Sequence, residues 1–469
     1  MDMQTTTTIP ARLDALPWSA WHWRVVAALG ITWMLDGLEV TVVGSLGPML
    51  QRPETLGLSA LQVGWTGSAY VGGAVLGALY FGRLADRLGR KRLFLITLAV
   101  YMAATLLTAL TWDFTSFMVC RALTGFGIGG EYAAINSAID ELIPARVRGA
   151  VSLAINGSFW VGAAAGAGLS VFLLDTGRLP AEIGWRLAFA FGAVLAFAIL
   201  IVRRNLPESP RWLLTHGRHA EAEVVVAAIE REAGVTAGVP ESLSIRVRPL
   251  VSWREILQLL VTRYRARAVL GFALMTSQAF LYNAIFFTYA LVLARFYGVP
   301  DDRVALYIFP FALGNVLGPL ILGRLYDSIG RRVMITASYG ISALGMLVTG
   351  WAFVRGWVGA AGLAWCWSAI FFFASAAASS AYLTVSEVFP LEMRAVAISI
   401  FYAIGTAAGG FAAPALLGWL IGTGSRESVF LGYAGAGVLM GLGALAAAFL
   451  AVDAERKPLE AVARPLSCD

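Results

Sequence analysis

Four ionisable residues fall inside long apolar stretches of the chain: Asp36, Glu39, Arg121 and Glu131. At bilayer depth an ionisable side chain costs several kcal/mol unless it is paired or wet, so each is a functional candidate by default. Asp36 and Glu39 lie three residues apart in WMLDGLEVTVVG, which puts both carboxylates on one helix face. Counted from Arg24, Asp36 lies about 18 Å into the membrane and Glu39 roughly 4–5 Å further. Arg121 lies about 9 Å from the opposite edge on a helix running the other way. Glu39 and Arg121 thus reach similar depths with opposite charge, and a salt bridge between them is expected. Glu131 lies about 15 Å beyond Arg121 on the same helix.

These residues must be positioned by membrane helices. Of the 469 residues 58% are hydrophobic and 14% charged, against about 25% charged in soluble domains. Mean hydropathy is +0.73, which leaves no room for a large soluble domain. A spanning helix needs roughly 20 apolar residues. Charged punctuation divides the chain into twelve such stretches: 24–47, 60–82, 93–112, 115–140, 150–174 and 185–203, then 268–293, 302–323, 333–354, 357–386, 395–421 and 429–451. Many are rich in Gly and Ala, which let helix backbones approach closely in a bundle. The fold class expected is therefore an all-α membrane protein of twelve helices. No cleavable signal pattern occupies residues 1–23; with Pro10 and Pro17, they read as a disordered cytoplasmic tail. Cys120, Cys366 and Cys468 have no metal or disulfide spacing. His22, His216 and His219 read as solvated residues outside the spans. No nucleophile–base set or metal cluster is present, so an enzyme is not expected, and neither is a cofactor.

Twelve spans put both termini on one side. Roughly 27 of the 35 Lys and Arg residues fall on that side and about seven on the other, which by the positive-inside rule makes it cytoplasmic. The +6 net charge thereby reflects topology; the basic residues are not interleaved with aromatics as nucleic-acid binding would require.

The sequence also repeats. GRLADRLGRKR begins at Gly82 and GRLYDSIGRR at Gly323; ELIPARVRGA begins at Glu141 and EVFPLEMRAV at Glu387. The order is the same in each half. The chain therefore divides into a tail (1–23), a six-helix half (24–203), a linker with amphipathic helices (204–262), a second six-helix half (263–451) and a tail (452–469). Parallel halves of this kind place the substrate near the midplane between them.

These motifs resemble the major facilitator superfamily over nearly the whole chain. The loop with Gly82, Asp86, Arg87, Gly89, Arg90 and Arg92 looks like its signature, repeated at Gly323, Asp327, Gly330, Arg331 and Arg332. PESPRWLLTHGRHAEAEVVVAAIEREAG from Pro207, and RALTGFGIGGEY followed by ELIPARVRG, resemble the sugar-porter and organic-ion branch. The resemblance implies a cytoplasmic gate that locks the halves together when the cavity faces out. Its members would be Asp86, Arg87, Arg90, Glu141, Arg148, Glu208, Arg211, Asp327, Arg331, Glu387 and Arg394.

The resemblance also implies proton coupling. Glu39 stands where the branch has a proton-carrying Asp, and Arg121 where it has that residue's partner. Near Arg121 the carboxylate stays ionised; burial without it favours the protonated form. Glu39 is the first candidate and Asp36 the second. Glu131, in GGE, resembles organic-acid and betaine-type proton symporters and is a second proton site or a substrate contact. Spans 1, 4, 7 and 10 line the cavity in this superfamily. Gln278 and Asn283 match sugar-porter spacing, whereas Asn156 stands where that branch has Gln and Tyr382 where it has Trp. Tyr282, Phe286 and Phe287 add aromatic surface; Trp33, Tyr132, Asn136 and Asn315 complete the candidate contacts. A proton-driven carrier of a small organic or aromatic acid is the first reading. A sugar or polyol symporter, an organic-cation antiporter and a non-transporting sensor are the alternatives. The expected partners are the solute, the proton and the lipid bilayer, around a monomer in the inner membrane.

Overall fold

The computed structural model describes residues 4–203, 207–235, 243–246, 251–286, 288–300 and 305–466. The first half holds α2 (Ala20–Ser45), α3 (Ala60–Leu88), α4 (Arg90–Ala109), α5 (Phe114–Leu142), the pair α6 (Arg148–Gly157) and α7 (Phe159–Leu173), and α8 (Ala181–Arg203). The second half holds α12 (Arg265–Phe286) and α13 (Tyr289–Tyr297), then α14 (Ile308–Ser328), α15 (Arg331–Val354), α16 (Ala360–Glu387), α17 (Arg394–Gly422) and α18 (Arg426–Leu450). Ten stretches of the described residues are long and apolar enough to cross a membrane. The other two helices of the bundle, α3 and α5, are each 29 residues long but diluted by glycine and charge. Their glycines have a use. A Cβ on Gly73 would stand 2.0 Å from the Ala122 carbonyl oxygen, and one on Gly125 would stand 2.0 Å from that of Tyr70. Small residues at both sides of this crossing bring α3 and α5 together and carry Tyr70 to the depth of Arg121.

The repeat in sequence is a repeat in structure. α4 and α15 each begin after a glycine with positive φ, Gly89 at 89° and Gly330 at 120°, a conformation that favours a residue without Cβ.

Residues 4–23 are not a disordered tail. Gln4–Thr7 (β1) pairs antiparallel with Leu243–Arg246 (β2), and Ile9–Ala15 forms α1. Ile9, Leu13 and Leu16 recur at helical spacing and are almost fully buried. Pro10 sits in the first turn, where its missing N–H is no loss. α1 packs with α9 (Pro210–Thr215) and α10 (His219–Ala233) in one hydrophobic cluster that includes Trp21, Trp212 and Val226. His22 is likewise not solvated: it is fully buried, stacked on Trp18 at 4.9 Å and bonded to Ser19. The amphipathic α11 (Trp253–Val261) and the short α19 (Leu459–Val462) complete the end of the bundle that carries both termini.

Candidate functional site

The expected pair of Glu39 and Arg121 is present. Arg121 Nη1 donates to Glu39 Oε1 at 2.5 Å, and both residues are buried. Asp36, one turn away, is 2% exposed and is held by hydroxyls from two helices: Tyr70 of α3 donates to Oδ1 at 3.0 Å and Tyr132 of α5 to Oδ2 at 2.5 Å. Tyr70 also presents its ring face to the Arg121 guanidinium at 4.5 Å. The two carboxylates are therefore parts of one network, one answered by a cation and the other by neutral donors. Glu131 is buried and lines, with Asp36, Trp33, Tyr132, Thr32, Ile128 and Ile135, a small cleft of about 10 Å³, room for a single water.

The candidate substrate contacts sort into two aromatic groups, both bridging the halves. Around Asp36, Tyr132 stacks on Tyr402 at 4.4 Å and faces Tyr382 at 6.2 Å, while Trp33 meets Tyr132 edge-on at 4.7 Å. The Trp33 indole N–H has no acceptor among the described residues. Asn156 donates to Asn136, which in turn donates to the Tyr132 carbonyl, so this amide pair supports Tyr132 from below. The second group sets Trp160 against Tyr282 at 5.7 Å, Phe286 at 5.7 Å and Phe311 at 5.1 Å, and Tyr282 donates to Asn315 at 2.6 Å. Gln278 and Asn283 donate to carbonyls of their own helix, Met275 and Ala279. Phe287 lies outside the described residues. Sequence reasoning missed Tyr70, Tyr402 and Trp160; each sits in an apolar stretch with nothing local to distinguish it.

At the end carrying the termini, the charged motifs form a buried, pseudo-symmetric lattice. Arg90 binds Asp86 at 3.5 Å and Glu141 at 2.8 Å; the repeat, Arg331, binds Asp327 and Glu387, both at 3.0 Å. Two pairs cross between the halves: Arg148 to Glu387 at 3.6 Å and Arg394 to Glu141 at 3.9 Å. Asp327 also accepts from the Gly149 and Ala150 amides at 3.0 and 2.7 Å, a carboxylate seated on the start of α6 across the interface. Asp86 accepts no such bond. Glu208 caps α4 through the Arg90 amide at 2.8 Å, and Glu455 does the same for α15 through Arg331. Burial pushes the Glu208 carboxyl up, against those backbone donors. Arg211 binds Asp14 at 3.0 Å, Glu460 at 2.9 Å and the Glu141 carbonyl. Arg87, expected in this lattice, is exposed instead: it follows Asp86 on α3 and so points off the buried face toward the mouth of a cleft shared with Trp253. Asp14, Asp140 and Glu460 belong to the lattice and were not expected from the sequence.

The whole architecture has known counterparts. The profile described as "Sugar (and other) transporter" matches residues 19–464. The niacin transporter NiaP of Acinetobacter baylyi is 28% identical over 86% of this chain and 88% of its own length. The gallate transporter of Pseudomonas putida is 28% identical over 93% and 92%. The solved structure of the proton:xylose symporter XylE, bound to 6-bromo-6-deoxy-D-glucose, superposes with a TM-score of 0.77 at 20% identity, covering 94% of this chain and 98% of that one. These are multi-pass carriers of small organic solutes rather than enzymes, and the chain belongs to the sugar (and other) transporter family, with the twelve-helix major facilitator fold.

Proposed function

We propose that this protein is a proton-coupled symporter of a small organic acid, an aromatic carboxylate first among these. The observation that carries the reading is the enclosure of Asp36. A buried carboxylate sits in an aromatic wall built by both halves, one turn from the Glu39–Arg121 pair. Aromatic faces suit an aromatic ring. Arg121 and the unanswered Trp33 N–H suit a carboxylate's oxygens. Niacin and gallate, the solutes in the names of two relatives, are both ring-borne acids.

In this reading Glu39 carries the proton. Its pairing with Arg121 is made and broken as the halves rock, which ties the proton it carries to alternating access. Asp36 then tunes the site or carries a second proton. Both termini face the cytoplasm of the inner membrane, and the protein acts as a monomer by alternating access, its termini-side lattice being the cytoplasmic gate.

The test is uptake of radiolabelled nicotinate, benzoate, xylose and choline into proteoliposomes with an inward proton gradient. Accumulation of an aromatic acid that a protonophore abolishes supports the reading. Accumulation of xylose alone would replace it with the sugar reading. Choline exchange against protons would make the three buried carboxylates Asp36, Glu39 and Glu131 a cation site.

A further inference from the structure

Asp140 breaks the symmetry of the termini-side lattice. The two halves supply matched pieces: Asp86 with Asp327, Arg90 with Arg331, Glu141 with Glu387, Arg148 with Arg394. The residue before Glu141 is Asp140, whereas the residue before Glu387 is Ser386. Asp140 is thus a carboxylate with no counterpart in the second half. It is 1% exposed, forms no ion pair within 4 Å among the described residues, and neither carboxylate oxygen accepts a hydrogen bond of good geometry.

Its surroundings come from every element at the crossing. Arg148 faces it from α6, Ser386 and Glu387 from α16, and Arg394 from α17; Glu141 is its neighbour on α5. The nearest cations lie beyond ion-pair distance of it. Arg148 is shared between Glu387 and Asp14, and Arg394, whose strongest anionic neighbour is Asp140, also faces Glu141 at 3.9 Å and Glu460. Glu387, the facing anion, repels a charge at Asp140. A buried carboxylate without its own partner is costly, and the neutral acid is far less so.

We propose that Asp140 is a proton-binding site within the gate: protonated while the halves are closed on this face, and ionised once they part and water enters. Ser386, opposite it across the pseudo-twofold, donates its hydroxyl to the Leu383 carbonyl and so offers the protonated acid an acceptor, which lets one acid, but not two, be enclosed. The transported proton at the midplane is a separate matter; Asp140 exchanges with the termini side alone. Its consequence is a gate that opens more readily as that side becomes alkaline. One proton released on opening shifts the closed–open equilibrium up to tenfold per pH unit. The inference rests on the alternating-access reading above but not on the identity of the substrate.

The test uses full-length protein in lipid nanodiscs, without substrate, with the native cysteines replaced and Ser399→Cys as reporter. Ser399 is fully buried, packed where a Cβ on Gly82 of the other half would fall, so a maleimide reaches it only when the halves part. Labelling rates are compared from pH 5.5 to 8.5 in the parent and in Asp140→Asn. The thiol's own pH dependence is common to both and cancels in the ratio. The parent-to-variant ratio is expected to rise steeply with pH, approaching tenfold per unit, with the variant held closed. Asp140→Ser, which copies the other half, is expected to behave as Asp140→Asn does and serves if the Asn variant does not fold. Adding Ser386→Asp to Asp140→Ser returns one carboxylate to the crossing and is expected to restore the pH dependence. Superimposable profiles for the parent and both single variants would overturn the proposal. So would a double variant as flat as Asp140→Ser, because the effect would then not follow the carboxylate.

Discussion

The Arg121 guanidinium lies 4.5 Å above the ring of Tyr70, and the hydroxyl of that ring donates to Asp36. One side chain therefore fixes a cation by its face and an anion by its edge. Tyr70→Phe keeps the face and removes the donor. A hydrogen bond to a charged group is worth about 1.5–3 kcal/mol. Proton-driven uptake is expected to fall at least tenfold while thermal unfolding of the purified protein moves little. An unchanged initial rate would show that the Tyr132 hydroxyl suffices for Asp36.

Glu39→Gln is expected to abolish accumulation against a gradient and to spare exchange of internal for external substrate. The accompanying stability test separates pairing from coupling. Arg121→Ala leaves a buried charge without its partner, a loss of about 3–5 kcal/mol, and is expected to lower the unfolding temperature markedly. Adding Glu39→Gln to Arg121→Ala is expected to recover most of that loss. A double variant no more stable than Arg121→Ala would place the cost in lost packing of Arg121 on Tyr70 and Phe189.

The two repeated motif aspartates are not equivalent. Asp327 holds two amides of the opposite half and Arg331, whereas the Asp86 side chain has, among the described residues, one ion pair, to Arg90 at 3.5 Å. Both Asp327→Asn and Asp86→Asn are expected to favour opening at the termini side. The former is expected to do so more strongly, because charge-assisted bonds are about twice as strong as neutral ones. Accessibility of a cysteine at Ser399 measures both. Equal effects would mean that the gate reads charge and not the seating of α6.

His216 gives the linker a pH dependence. It stacks on Trp212 at 4.1 Å and donates from Nδ1 to the Trp212 carbonyl. Burial pushes the imidazole down from its ordinary value, assisted by Arg90 and Arg218 and opposed by that carbonyl. A histidine whose pKa is lower when folded binds more protons when unfolded, so stability rises with pH across the window. The docking of α9 is therefore intact above pH ~6.5 and weakens as pH falls below it. His216→Gln is expected to flatten that acid loss of protease resistance at the linker. A variant as acid-sensitive as the parent would assign the loss to carboxylates instead.

The sequence carried the spans, the two halves, the midplane pair and most of the lattice, because each leaves a local mark. Charge inside an apolar run, a motif repeated at fixed distance and helix-ending glycines are all visible in one dimension. Tyr70 and Tyr402 left no such mark: a tyrosine in a hydrophobic span looks the same whether it faces lipid or Asp36, and only the crossing of α3 with α5 distinguishes them. Gln278 and Asn283 illustrate the converse. Their spacing suggested sugar recognition, yet both amides are engaged by carbonyls one turn back on their own helix. The tail was misjudged because polarity and prolines masked Ile9, Leu13 and Leu16, whose burial depends on α9 and α10 far away in the chain.

That tail reaches the gate through one carboxylate. Asp14 binds Arg148 at 3.2 Å and Arg211 at 3.0 Å and accepts the Ala145 amide at 3.1 Å. Arg148 is also one of the two arginines that cross between the halves. Asp14→Ala leaves Arg148 with Glu387 as its remaining anionic partner, which strengthens that crossing, but frees Ala145 and the loop ahead of α6. Loosening is expected to win, since the lost contacts include two part-buried ion pairs and a backbone cap against one gained interaction already within 3.6 Å. The predicted result is an increase of several-fold in labelling at Ser399→Cys, with unfolding temperature lowered by a few degrees. Removal of residues 2–16 should match Asp14→Ala in labelling but lower stability further, through the exposed faces of α9 and α10. If labelling falls instead, the tail is a competitor for Arg148, and its docking would then favour the open gate.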